Sequence, residues 1–462
     1  MKHLYLLILF LLLAASSFSK KKEELQKYNE NYRSQYHFSP VLNKMGNPLS
    51  VVLIDSVYHL YFQYNPHNLM DAYFNTGHAT SKDLLHWKQH ELVFEQVEGI
   101  SDSMHLVPWW GSMQTIDGEL SAWMNRWDEG IVKTSGSDGF VWNAEVKTVG
   151  TEQFKQCEPY VFWHEPTQKW IMFVYNRPEK SMHIMRSDDG SRWDEINQFN
   201  YNYGFPQMIE LPVDRKADNT RWVLFTEKGT YIIGQFDGEN FELETSVKML
   251  NNGSNTGSTV VFYDKAKQRH VAMLNVQSEQ HADMAANGQL TFPAKLALRE
   301  LNSGIELFVE PLSEITSLFG KEYSWEDEKV YPGLKNNILK RIKGSEFHLK
   351  ALIENLNSDR FGFLIRSGRN NQGIEVSYNA KKQIITVMNA QIPYEMKGNS
   401  IEIELLIDRS MLEVYLDGGR YVFSEAIAPS PEATGYELFT TGGEIMVKWM
   451  KVHPLNSVWK QQ

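Results

Sequence analysis

The strongest constraint on the fold is a unit that recurs five times. Segments 47–64 (NPLSVVLIDSVYHLYFQY), 110–127 (WGSMQTIDGELSAWMNRW), 158–175 (EPYVFWHEPTQKWIMFVY), 205–227 (FPQMIELPVDRKADNTRWVLFTE) and 258–275 (STVVFYDKAKQRHVAMLN) share one plan. Each reads as an apolar strand, a polar turn and a second, aromatic-rich strand; in the first unit the tight turn falls at Asp55-Ser56. The second strands begin near Tyr58, Leu120, Trp170, Trp222 and His270, roughly 50–60 residues apart. A second echo follows four of the hairpins. Asp83 precedes Trp87, Asp138 precedes Trp142, Asp189 precedes Trp193 and Asp237 precedes Phe241, each across a short turn. Asp suits the turn and the aromatic suits the strand after it. A period near 50 residues with about four strands per unit is propeller spacing.

The chain is therefore expected to be all-β, with a five-bladed β-propeller over residues 37–311. The best helical pattern, LSEITSLF at 312–319, is short and fits a linker over 312–324. From 325 to 462 short apolar runs alternate with turns such as Asp417-Gly418-Gly419, which predicts an antiparallel β-sandwich.

The N-terminus adds a processing signal. Lys2, an apolar run to Ala15 and small residues at Ala15, Ser17 and Ser19 predict a signal peptide over 1–19, followed by a polar leader over 20–36. The apolar run is short for a membrane span, so the mature chain is expected to have none and to be secreted or periplasmic. A single cysteine, Cys157, permits no internal disulfide; it reads either as a buried filler or as a reactive thiol. The formal net charge of −11, with no basic block beyond Lys20–Lys22, excludes a phosphate-tracking surface and hence nucleic acid as partner. Aromatics make up 13% of the chain, which serves β packing and also offers flat rings for stacking on sugars. The His residues are scattered, so neither a metal centre nor a cofactor is expected. The oligomeric state is left open.

Inner strands of a propeller begin at one mouth of the central channel. That geometry gathers Asn47, Trp110 to Ser112, Glu158, Gly204 and residues 255–258. Glycoside hydrolysis needs two carboxylates at such a mouth. Only Glu158 supplies one among these positions.

Several stretches resemble glycoside hydrolase family 32, the invertases, levanases and inulinases. They are HFSP…GNP…YHLYFQYNP and NTGHATSKDLLHW near the start, LTFPAKLALRE at 290–300, and IDRSMLEVYLDGGR at 407–420 with TTGGE at 440–444. The resemblance covers nearly the whole mature chain and implies a five-bladed propeller plus a β-sandwich. It also implies three acids that this chain has altered. The family's nucleophile position, the Asp of Asn-Asp-Pro-Asn-Gly, falls on Asn47. The transition-state-stabilising Asp of Arg-Asp-Pro becomes Glu158 in Cys157-Glu158-Pro159. The acid/base Glu of Glu-Cys-Pro falls on Gly204. Gln63, Asn65, His78, Trp110 and Ser112 fall on or beside the family's substrate-binding positions.

Each has a plainer reading beside the functional one. Gln63 and Asn65 also suit a buried turn, His78 a packed core, and Trp110 a plug instead of a sugar platform. Two functions follow. One is a carbohydrate-binding protein that recognises a β-fructoside or related glycan without the usual retaining hydrolysis. The other is an active glycosidase using Glu158 and a relocated acid from Asp71, Asp102, Asp283 or Glu227. A structural role for the sandwich is a third reading.

Overall fold

The computed structural model describes residues 28–70, 75–93, 111–116, 118–126, 130–143, 147–149, 154, 156–278, 284–368 and 372–461. The five expected units are five antiparallel blades. Their first three strands are Asn43–Ile54, Val57–Asn65 and Asn75–Ser81 in blade I, and Gly111–Ile116, Glu119–Arg126 and Gly130–Gly136 in blade II. Blade III has Cys157–His164, Lys169–Asn176 and Ser181–Ser187; blade IV has Gln207–Val213, Lys216–Thr226 and Thr230–Phe236. Blade V pairs Thr256–Asp264 with Arg269–Val276 and then with Ala294–Leu301 and Gly304–Pro311. The short strand Ala286–Asn287 leaves blade V and pairs in parallel with Asn43 and Lys44, closing the ring.

Local chemistry explains the repeat. Asp55 and Ser56 both take positive φ, 46° and 65°, the geometry of a type I′ hairpin turn. The four echoed aspartates do one job. Oδ1 of Asp83, Asp138, Asp189 and Asp237 each accepts two backbone N–H bonds, from the residues two and three positions on, at 2.7–3.0 Å. A carboxylate in that place holds a turn that the backbone alone leaves unsatisfied.

Side chains also tie neighbouring inner strands around the axis. Ser112 Oγ of blade II accepts the Val161 N–H of blade III at 2.8 Å, and Gln207 Oε1 of blade IV accepts the Val261 N–H of blade V at 2.7 Å. Asn47 Oδ1 of blade I accepts the Ser258 N–H of blade V at 3.0 Å, and Asn275 Nδ2 returns a bond to the Gly46 carbonyl at 2.7 Å.

The helical pattern at 312–319 forms a 3-10 helix, Ser313–Leu318. Beyond it lie two packed sheets. One has six strands: Tyr323–Val330, Ile445–Pro454, Phe347–Asn355, Ser400–Ile407, Met411–Leu416 and Tyr421–Ala426. The other has five: Ala390–Pro393, Ile384–Val387, Ile374–Asn379, Arg360–Ser367 and Gly435–Thr441. Their facing apolar residues, among them Leu349, Phe361, Phe363, Leu405 and Val447, form one core. The strand Tyr323–Val330 escapes a pattern reading because it is a mostly exposed edge strand rich in charge.

The sandwich docks on the propeller through the 407–420 stretch and the end of the leader. Buried His37 bonds Asp408 at 2.8 Å and Glu413 at 3.0 Å, while Glu413 also accepts the Phe292 N–H. Tyr28 stacks on Trp459, ring centroids 4.1 Å apart, and Trp459 donates to the Ser34 carbonyl. Gly419, at φ +90°, lies where a Cβ would come within 2.0 Å of the Val309 carbonyl oxygen, and its own carbonyl accepts the Val309 N–H.

Candidate active site

The mouth at the start of the inner strands holds Asn47, Glu158 and Gly204, with two residues from neighbouring loops, Arg177 and Glu227. Asn47 sits in a bulge of its strand, between the paired residues Met45 and Pro48. Its N–H donates to Gln63 Oε1 at 3.0 Å and its side-chain oxygen holds Ser258. The position that the resemblance assigns to the nucleophile is thus a neutral amide whose oxygen is engaged in closing the ring.

Glu158 is buried, at 2% exposure, on the second residue of its strand. Arg177 Nε donates to it at 2.5 Å, Arg177 Nη2 pairs with the same oxygen, and the Phe205 N–H donates to the other. Gly204 and Phe205 both lie in the left-handed region, at φ +61° and +46°, and this double turn aims the Phe205 N–H at the carboxylate. Burial is the largest influence on Glu158 and outweighs these partners, raising its carboxyl from the usual range to about 7.

Gly204 has no side chain, yet its place is filled. A Cβ built there would lie 2.8 Å from Glu227 Oε2 and 3.4 Å from Arg177 Nη2. Glu227 approaches from the loop after the strand Lys216–Thr226, its backbone N–H anchored on the Tyr203 carbonyl at 3.1 Å. Its carboxylate stands 3.7 Å from the same Nη2 that pairs with Glu158. Two carboxylates therefore share one guanidinium at the mouth. The side chains of Arg177 and Glu227 are 39% and 32% exposed, whereas that of Glu158 is 3% exposed, so the shared cation forms the floor a ligand would meet first.

The recess beside Glu158, between Pro48, Leu49, Gly111 and Phe205, holds about 20 Å³, room for one water. The other expected site residues are placed as follows. Ser112 is buried and holds Val161. Asn65 is fully buried; it donates to Asn68 and the Met70 carbonyl and accepts the His67 N–H. His78 Nε2 lies 3.0 Å from His59 Nδ1, and its ring stacks on Tyr61 in the layer of blade I. Trp110, Asp71, Asp102 and Asp283 lie outside the described residues. Cys157 is buried, donates to the Phe154 carbonyl, and burial pushes its thiol well up. Among the described residues no group of three His, Cys, Asp or Glu could hold a metal ion.

Sequence reasoning did not find Arg177, which follows the strand Lys169–Asn176 and touches Glu158 from nineteen positions away. Its only signal was that a buried carboxylate requires a partner.

Residues 37–311 match the model of the glycosyl hydrolases family 32 N-terminal domain, and residues 314–454 that of the family 32 C-terminal domain. The chain belongs to glycosyl hydrolase family 32. A levanase of Bacillus subtilis (strain 168) is 25% identical over 98% of this chain and 75% of its own length. An extracellular exo-inulinase of Aspergillus niger is 24% identical over 94% of this chain and 96% of its own. In fold, the exo-inulinase of Aspergillus awamori superposes with a TM-score of 0.81 at 21% identity, covering 94% of this chain and 100% of that one. A fructofuranosidase of Schwanniomyces occidentalis complexed with fructose follows at 0.80 and 20%, covering 93% and 99%.

Proposed function

We propose that this protein is an exported, fructan-directed carbohydrate-binding member of family 32 that does not carry out the family's retaining hydrolysis. The carrying observation is the pair of altered positions. The amide oxygen of Asn47 is bonded to the Ser258 N–H, and Gly204 has no proton to give. A retaining mechanism needs a carboxylate nucleophile and a carboxylic acid on opposite sides of the scissile bond. Glu158, sealed under Arg177, is not placed to supply both. A fructosyl unit would rest on the exposed face of Arg177 and Glu227, with Tyr203, at 42% exposure, beside them. The names of the relatives support the ligand class, since they are a levanase and exo-inulinases, and the Schwanniomyces enzyme was solved with fructose. Residues 1–19 would direct export and be removed.

The test offers purified mature protein sucrose, inulin and levan, and measures both binding and release of reducing sugar. Binding without release is expected. Release that disappears in Glu158→Gln would overturn the reading.

Two observations favour a second reading, an active glycosidase. The Glu227 carboxylate stands where a side chain on residue 204 would begin, and Glu158 titrates near neutrality, as a general acid or base does. Hydrolysis abolished by Glu227→Gln as well as by Glu158→Gln would establish it.

A further inference from the structure

The axial channel has a second end. Inner strands run in the same sense around the axis, so their later residues converge at the mouth away from Asn47 and Glu158. There the channel widens to a cavity of about 680 Å³, within the size range of small-molecule sites. Leu49, Tyr160 and Gln207 line both this cavity and the small recess beside Glu158, so they form a septum between the two ends. The two ends are therefore separate cavities.

The far end has the chemistry of a sugar site. Trp163 is 37% exposed and lines the cavity. Its ring is held in place: the indole N–H donates to Glu165 at 2.7 Å, and Trp170, its partner across the hairpin, packs edge-on with ring centroids 5.2 Å apart. A fixed aromatic face is a platform ready for the C–H face of a pyranose or furanose. Around it stand groups for hydroxyls. Glu210 is steadied by the Thr220 hydroxyl at 2.5 Å. Tyr263, 47% exposed, pairs with His270, rings 4.9 Å apart. Burial lowers the His270 ring to about 4, so it is neutral near pH 7 and offers one donor and one acceptor. Glu165 and Glu210 against Lys265 leave the wall net negative, which disfavours anions.

We propose that the far end of the propeller channel is a second carbohydrate site, taking a neutral sugar on the face of Trp163 with its hydroxyls on Glu165, Glu210 and His270. None of these residues belongs to the mouth that holds Asn47 and Glu158, so the proposal does not depend on the function proposed for that mouth.

The test uses the full mature chain with fructose, sucrose, glucose, galactose and mannose, with glucosamine as a cationic and glucuronate as an anionic comparison. Saturation-transfer NMR and calorimetry give affinity and stoichiometry. At least one neutral sugar is expected to bind in the millimolar range. Trp163→Ala should weaken that binding at least tenfold and Trp163→Phe should recover part of it, with unchanged circular dichroism. Glu165→Gln, which keeps the shape, should weaken it several-fold. Arg177→Ala, at the other mouth, should leave it intact. If both ends bind, the unaltered protein takes two equivalents and either variant one, so failure of one site is distinguished from failure of the other. The proposal is overturned by a neutral-sugar affinity and stoichiometry that Trp163→Ala leaves unchanged, by the absence of neutral-sugar binding at roughly 20 mM, far above a 1 mM Kd, or by binding of glucosamine or glucuronate alone.

Discussion

Asn47 carries two consequences that differ by a single atom. Its side-chain oxygen accepts the Ser258 N–H. Asn47→Ala removes that acceptor and leaves a buried-strand donor unpaired, a loss of about 1–3 kcal/mol measurable by denaturant unfolding. Asn47→Asp keeps an acceptor and should be far milder. Under the proposed function it should not by itself confer hydrolysis, because position 204 still lacks an acid. Placing an acid at that position is harder than the motif resemblance suggests. Gly204→Glu places an L side chain at φ +61°, at about 1–2 kcal/mol, and drives its Cβ toward the Glu227 carboxylate. Gly204→Glu with Glu227→Ala should therefore be more stable than Gly204→Glu alone, read as a higher Tm. Glu158 adds a pH signature. Its carboxyl is raised in the folded state from 4.5 to about 7, so the folded protein holds a proton that the unfolded chain releases. That contribution is present below pH 4.5 and is lost as pH rises to 7. Unaltered protein should lose stability relative to Glu158→Gln across that window, seen in paired thermal melts.

At the scale of elements, the blades are held by two devices. One is the Asp-capped turn, repeated at Asp83, Asp138, Asp189 and Asp237. The other is the side chain that catches a neighbouring blade's N–H, as Ser112 and Gln207 do. The first is local and the second is not, so they should respond differently to mutation. Asp138→Ala affects one exposed turn and should lower stability by about 1 kcal/mol. Ser112→Ala leaves the Val161 N–H unpaired between two blades and should lower it by about 1–3 kcal/mol. Chemical denaturation of the two variants checks the order. The same contrast explains what could be read from the chain. The Asp turns were visible as an in-phase echo, because their bonds span two or three residues. The role of Gln63 was open between ligand and backbone partner, because it bonds Asn47 from 16 positions away, and the bond that Ser112 accepts from Val161, 49 positions away, left no local pattern to read.

For the whole molecule, the decisive contact is the buried cluster of His37, Asp408 and Glu413 between propeller and sandwich. Burial alone would lower the imidazole, but the bonds to both carboxylates outweigh it and raise it to about 9. The charged ring therefore stabilises the fold fully below about pH 6.5, and the effect is lost as pH rises to 9. A shift of that size corresponds to on the order of 3 kcal/mol. His37→Gln should remove this pH dependence. It should also destabilise the protein by about 3–5 kcal/mol, because two buried carboxylates lose their cation. Calorimetric melts from pH 6 to 9.5 check both effects.

Taken alone, the sequence determined the architecture and the family, and its resemblance to that family pointed to altered acids at Asn47, Glu158 and Gly204. Periodicity and turn chemistry are short-range properties, and a motif survives as a string even when its charge is gone. Tertiary structure alone decided what now occupies the altered site. Arg177 and Glu227 reach Glu158 and Gly204 from other loops, the Asn47 oxygen is taken by blade V, and the channel is divided into two ends. These arrangements depend on distances between residues far apart in the chain, and closing the ring of blades is what sets those distances.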